Sequence, residues 1–456
     1  MNIGAVITLE VDSVMDPTER FELIRKNIVD RLHEIPVLTQ RIVRSPLDLT
    51  WPALVSDDTF DVDRHVLRVA LPSPGSPDQF DALVSEFLSR TLVATRPRWQ
   101  LLYIEALEDG RVALVLKVHH SLADGVSGAE TFAGFFDISP DVRPPAPING
   151  ANEATTATIT PFGLLAEALG RLRTRPRLAV EVATSWVSRL YEIIRTVVTV
   201  VVARGRKSAT PDQPSIFEAR RSSLNAIASV EKTHLRMSVP LADAKRVAKS
   251  HGASVTDFVM ATTSGAVRQL LLDRGEVLKR DLIAFVPINV RGDSDTADMG
   301  NQISGMLVAL HADIADPLER LRAIANDSAK TVGVQRQSRA TMFKNMPQML
   351  GPFVLSLGGK LVSSFKLFEH IPPMANLMVS SVPGPPVALW LSGHRVVSAA
   401  PVGPLLGPIS LNITVLGFEQ NLEFGLLASA AVMPDLASLR DYLVEEANLL
   451  IASEGH

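Results

Sequence analysis

The chain has 456 residues, 46% of them hydrophobic and 21% charged, with a mean hydropathy of +0.18; that composition excludes general disorder and gives room for two globular domains. A net charge of −4 with no Lys/Arg tract among aromatics excludes a general attraction to nucleic acid. The absence of cysteine excludes disulfides, thiolate metal sites and a cysteine nucleophile, and the ten histidines form no His-Glu-x-x-His pattern, so no metal is expected.

Met1 to Val11 reads as a strand, without the basic region or cleavage site of a signal peptide, so an intracellular protein is expected. Asp16-Pro17-Thr18-Glu19 opens a helix with Asp as N-cap and Pro at the first helical position. Phe21, Ile24, Ile28, Leu32 and Ile35 give it one buried face until Pro36 stops it. A second helix follows Ser76-Pro77 and buries Phe80, Leu83, Val84, Phe87 and Leu88. Trp99–Leu107 and Arg111–Val118 then form a hairpin around Glu108-Asp109-Gly110.

That hairpin delivers His119-His120-Ser121-Leu122-Ala123-Asp124-Gly125, with a short helix expected from Gly125 to Phe136. A strand, a polar turn and a helix start hold reactive side chains between rigid elements. Neighbouring strand residues point to opposite faces, so only one histidine can be the working base and the other supports it. Neutral imidazole, with a pKa near 6.5, can take a proton from a hydroxyl as it attacks a carbonyl. Asp124, four residues after His120, reads as a group that orients the turn or fixes the imidazole, with the N-cap of the next helix as the plainer alternative.

From Ser139 to Pro161 proline, Ala, Thr, Asn and Gly dominate, as in an extended linker. This divides the chain into 1–138, a linker with crossover helices at 139–210, and 211–456. Residues 162–207 read as helical. Their uncharged run Thr196–Ala203 is far too short to span a bilayer, so it belongs to a buried or an interfacial helix. The last part alternates strands and helices: a strand near 233–239, a helix from Pro240, a helix capped by Ser254 and Asp257, strands at 282–290, 376–382, 410–416 and 422–429, and a closing helix from Pro434 to Ile451. Residues 341–373 are rich in Met, Phe and Leu with spaced lysines.

The motif HHSLADG, continued by Val126-Ser127-Gly128, resembles the active-site motif of the bacterial wax ester synthase/acyl-CoA:diacylglycerol acyltransferase family. Pro287-Ile288-Asn289-Val290-Arg291 with Gly300-Asn301, then Val382-Pro383-Gly384-Pro385 and Leu411-Asn412-Ile413-Thr414, resemble that family's later signatures in the same order. This sequence departs from the family pattern at Arg98, Thr256 and Ser381, and it begins a few dozen residues later than family members do.

The resemblance implies an α/β fold of two chloramphenicol-acetyltransferase-like domains with mixed sheets and the active site at their interface. It implies His120 as general base, His119 and Asp124 beside it, and Gly125, Arg291, Asn301 and Asn412 in support, with Arg291 the expected partner of Asp124. It further implies acyl-CoA as co-substrate with no bound cofactor, diacylglycerol or a fatty alcohol as acceptor, and a cytoplasmic protein peripherally associated with membrane or lipid inclusions. A condensation-type acyltransferase using a carrier-protein thioester, or an inactive lipid-binding homologue, are the alternatives.

Overall fold

In the computed structural model, the residues described are 1–122, 132–147, 159–174, 191, 219–226, 229–277, 281–289, 303–335, 373–385 and 387–453. The first sheet starts with β1 (Asn2–Glu10) and contains β4 (Val66–Ala70), β5 (Trp99–Glu105), β6 (Val112–His119), β11 (Trp390–Leu391) and β12 (His394–Val402), in the order β11-β12-β1-β6-β5-β4. β4 and β5 run parallel and the other pairs antiparallel, so the sheet is mixed as expected. Helix α1 (Pro17–Arg31) covers one face and α2 (Pro77–Ser89) the other. A separate hairpin pairs β2 (Gln40–Val43) with β3 (Ala53–Ser56).

The cap read at Asp16 forms, and Ser76, read only as the start of a helix, caps one too. The Asp16 carboxylate accepts the N–H groups of Thr18 and Glu19, and Ser76 exchanges side-chain and backbone bonds with Gln79, each satisfying donors the first turn would leave unpaired. The first helix leaves the α conformation at Arg31, earlier than its apolar spacing suggests. Leu32 and Ile35 stay buried through two 3₁₀ turns, the second begun by Pro36.

The second sheet, β7-β14-β13-β10-β8-β9, comprises β7 (Lys232–Pro240), β8 (Ile283–Asn289), β9 (Ile303–Ala309), β10 (Leu377–Val382), β13 (Leu411–Phe418) and β14 (Asn421–Ser429). β10 is parallel to both neighbours. Helices α4 (Leu241–Ser250), α5 (Val255–Asp273), α6 (Pro317–Gln335) and α7 (Leu436–Ala452) accompany it, and α3 (Pro161–Thr174) precedes it in the chain. α5 is buried almost all round, from Asp257 to Val267 without a break. Its Asp257 completes the cap with Ser254 and also accepts the Ser328 hydroxyl of α6 at 2.6 Å, joining two helices through one carboxylate.

Two features knit the sheets together. β12 lies late in the chain yet pairs with β1 along Gly4↔Val402 to Glu10↔Arg395, so a strand from the second half of the sequence completes the first sheet. Where β12 passes over β14, a Cβ on Gly425 would lie 1.7 Å from the Pro401 carbonyl oxygen, so only glycine fits that crossing. The second feature is α2, which lies against the edge strand β7. Ser85 and Ser89 accept the N–H groups of His234 and Lys232 at 2.9 and 2.8 Å, satisfying donors that an open edge would leave exposed.

Candidate active site

β6 is buried from Val112 to Val118, and its side chains divide by alternation. Leu114, Leu116 and Val118 face the α1 core, whereas Ala113 and Val115 face α2 and Leu427 of β14. Lys117 belongs to the second set. Its Nζ donates to the carbonyls of Phe87 and Arg90 at 2.7 and 3.0 Å, and Lys232 of β7 reaches Leu88 at 3.5 Å. Two lysines from the two sheets thus meet the negative end of α2, which carries no basic residue in its own last turn. Burial, then Lys232, lowers the Lys117 ammonium to about 8. The motif end of β6 therefore lies at the seam between the sheets.

The strand stops at His119, one residue short of His120. The Leu122 N–H donates to the His119 carbonyl at 2.9 Å, so His120 and Ser121 are the central residues of a tight turn. Strand alternation, used above to set the two histidines apart, therefore ends at His119, and turn geometry separates them instead. The His119 N–H is held by the Arg98 carbonyl and the His120 N–H by that of Met1.

The His119 ring is already engaged. Nδ1 lies 2.7 Å from Ser121 Oγ and accepts the Ser121 N–H at 3.2 Å, while Nε2 lies 3.3 Å from the Met1 amine. Burial, followed by the Met1 amine, Arg98 and His120, pushes its pKa down to about 4. His119 is neutral at pH 7, with Nδ1 accepting the Ser121 N–H. His120 is half-buried beside it. Sequence reasoning passed over Ser121 and Lys117, although Ser121 stands inside the motif and Lys117 is the one charge in a buried strand.

Asp124, Gly125, Arg291 and Asn301 lie outside the described residues, as does most of the helix expected from Gly125 to Phe136. Its end is described. Phe132 and Phe135 are buried, and Asp137, just past them, pairs with the fully buried Arg31 of α1 at 2.9 Å. Arg31 also donates to the carbonyls of Phe135 and Arg143, so one guanidinium fixes the chain that returns from the motif. Asp137 exchanges backbone bonds with Trp390, which ties that segment to β11.

Asn412 is fully buried in β13. Its amide donates to the Pro404 carbonyl at 2.8 Å and its oxygen accepts the Thr414 hydroxyl at 2.7 Å. A Cβ on Gly403 would stand 2.2 Å from that oxygen. Asn412 thus locks the loop leaving β12 onto the second sheet. Among the described residues, one group of donors could face a cation, Asp281, His311 and Asp313. The Asp281 carboxylate already accepts the N–H groups of Leu282, His311 and Ala312, and His311 Nε2 pairs with Asp327, so protein bonds account for the arrangement.

The model of the wax ester synthase/diacylglycerol acyltransferase catalytic domain matches residues 1–259, and that of the WS/DGAT C-terminal domain matches residues 299–450. The chain belongs to this family. A relative in Mycobacterium tuberculosis (strain CDC 1551 / Oshkosh), named for diacylglycerol O-acyltransferase activity, is 30% identical over 419 residues, 89% of this chain and 78% of the relative. The structure of the wax ester synthase/diacylglycerol acyltransferase from Marinobacter aquaeolei VT8 is similar over 100% of this chain and 95% of that one, with a TM-score of 0.68 and 22% identity. The first condensation domain of the CDA synthetase is similar over 99% and 91%, with a TM-score of 0.53 and 13% identity. The expected fold, two α/β domains with mixed sheets, is the observed one.

Proposed function

We propose that the chain transfers a long-chain acyl group from acyl-CoA to the hydroxyl of diacylglycerol or of a fatty alcohol, with His120 as general base. The observation that carries the reading is the His119–Leu122 turn at the seam, which opens the HHSLADG motif inside the stretch that matches the family's catalytic domain. The chemistry asks for a base, a site for the developing oxyanion, and positioning. The acceptor O–H passes its proton to His120 as its oxygen bonds to the thioester carbonyl carbon. The tetrahedral adduct then expels the thiolate, which takes the proton back from the imidazolium. A thiol with a pKa near 8.5 departs readily, whereas an alcohol must shed its proton as it attacks, so one imidazole suffices. No covalent acyl-enzyme is needed.

His119 is the support in this reading: with Nδ1 committed to Ser121 and a pKa near 4, it is a poor proton acceptor. Asp124 is assigned a structural role with Arg291 as its partner, Gly125 and Asn301 support the turn, and Asn412 secures the seam. The long-chain assignment is supported by residues 341–382, which are largely apolar in sequence. Among the described residues no helix is long and apolar enough to cross a membrane, and we assign the protein a peripheral lipid surface, where both substrates partition.

The test is thioester consumption by the purified protein with palmitoyl-CoA and, separately, a diacylglycerol and a long-chain alcohol. Ester formation with at least one acceptor is expected, and equal turnover of acetyl-CoA and palmitoyl-CoA would overturn the long-chain assignment.

A further inference from the structure

The motif end of the seam gathers more positive charge than it neutralises. Lys117 of β6 and Lys232 of β7 both reach the last turn of α2. Arg98, whose carbonyl holds the His119 N–H, acts together with Lys232 on the Met1 amine, which lies 3.3 Å from His119 Nε2. A helix end supplies only about half a negative charge against these three cations, so roughly two and a half positive charges remain.

The influences on each group show the same excess. Burial lowers the pKa of Lys117, of Lys232, of Arg98 and of the Met1 amine. The next influence is another cation wherever there is one: Lys232 at Lys117 and at the Met1 amine, and Arg44 at Arg98. No carboxylate among the described residues counters any of the four. Arg44 and Arg90 stand outside this excess, because Asp48 and Glu86 neutralise them. Donor capacity is spare as well. Arg98 Nε is buried without a hydrogen-bond partner, and Lys232 Nζ, with three protons to give, reaches only the Leu88 carbonyl at 3.5 Å.

Cations held half-buried without a counter-charge cost free energy that an arriving anion would offset. Of the substrates in the proposed reaction only the thioester donor is charged: diacylglycerol and fatty alcohols are neutral, whereas CoA carries phosphate esters at the far end of its pantetheine arm. Arg98 lies on the side of the cluster towards the exposed Arg44, so phosphates held there stay near solvent while the arm carries the thioester inward to the turn.

We propose that Arg98 and Lys232 form a phosphate subsite for the nucleotide end of acyl-CoA, with a residue beside β5 of the first sheet and one on β7 of the second closing on the same ligand. This rests on the acyltransferase reading and adds to it the residues that hold its donor.

The experiment is isothermal titration calorimetry of the full chain with CoA and with pantetheine, which has the same arm and thiol without the phosphates. Wild type should bind CoA at least about tenfold more tightly than pantetheine. R98Q/K232Q should lose that preference, and R98K/K232R, which keeps both charges, should retain most of it. The control Lys245→Gln, at an exposed position on α4, should bind as wild type does, and circular dichroism checks folding. Competition identifies the anion: adenosine 3′,5′-bisphosphate should displace CoA at concentrations at which inorganic phosphate does not, whereas equal displacement by the two would assign the subsite to free phosphate and overturn the donor assignment. In turnover, the ratio of kcat/KM for palmitoyl-CoA to that for palmitoyl-pantetheine should fall about tenfold in R98Q/K232Q. Binding is read without catalysis, so a chain that holds CoA through these residues and forms no ester would sink the acyltransferase reading and leave the subsite standing. Ester formation with the same ratio in R98Q/K232Q and wild type, or equal binding of CoA and pantetheine by wild type, would overturn the subsite.

Discussion

The two polar stretches at the seam, His119–Leu122 after β6 and Leu411–Thr414 within β13, make opposite uses of polarity. Asn412 and Thr414 sit in the middle of a strand, and each is bonded to a neighbour whose position it fixes. The histidine motif begins where its strand ends, so Ser121 is exposed and His120 half-exposed at a turn. A polar side chain in mid-strand must find its partners inside the protein. One at a strand end can meet a molecule that comes and goes. The difference assigns chemistry to the first motif and locking to the second, and substitutions can break it from either side.

The largest effect should come from His120. A positioned base is worth about 10²- to 10⁴-fold in rate, and His120→Ala should lose that much in single-turnover acyl transfer with circular dichroism unchanged. His119→Ala should lose less, because it removes two bonds to Ser121 and leaves the proton acceptor. The reverse order of damage would exchange the two roles, and indifference to both would remove catalysis from this turn.

Next is Arg31 with Asp137. Both are buried, so Arg31→Met leaves a buried carboxylate with only the more distant Arg143, at 4.0 Å, and the loss should approach the roughly 3 to 5 kcal/mol of a broken buried pair. Urea denaturation should show that loss, whereas the double variant R31M/D137L should recover part of it. A single variant as stable as wild type would show that water reaches the pair.

Asn412→Leu tests the locking side. It strands the Pro404 carbonyl and the Thr414 hydroxyl, each of which costs about 1 to 3 kcal/mol when buried without a partner. Stability should fall, and kcat per folded molecule should stay near wild type. A stable variant with activity reduced as far as in His120→Ala would place Asn412 in the chemistry.

These expectations divide along the line between what the sequence discloses and what only the fold does. Local rules disclosed the helix caps at Asp16 and Ser254, the helix start at Ser76, the hairpin, and the turn carrying the histidines, because each depends on residues a few positions apart. The position of β12 depends on pairing His394–Val402 with Asn2–Glu10, and nothing in either stretch names the other. The same holds for Arg31 and Asp137, 106 residues apart, and for Lys117, whose charge in an apolar strand is explained only when α2 ends against it. Long-range pairing is chosen by the whole core. The motif could thus be found from the chain alone, while the groups that hold it in place could not.

The smallest expected effect separates the two sides of the seam by pH. His119 has a pKa near 4, and His234, which is fully buried and bonds the Pro401 carbonyl, is pushed down to about 3 by burial. Both pKa values lie below the unfolded value near 6.5, so between those limits the unfolded chain binds more protons than the native one. The contribution of these two rings must then rise with pH across that window, complete above about 6.5 and lost as pH falls towards 4 and 3; Asp81, whose carboxyl is raised by burial to about 6, acts in the opposite sense. Thermal unfolding from pH 7.5 to 4.5 should show a falling midpoint. His234→Gln should flatten the fall, because it removes a titrating group where β7 meets β12. His119→Gln should flatten it less, because that ring is only partly buried. An unchanged slope in His234→Gln would mean that His234 is not the group whose protonation opens the seam.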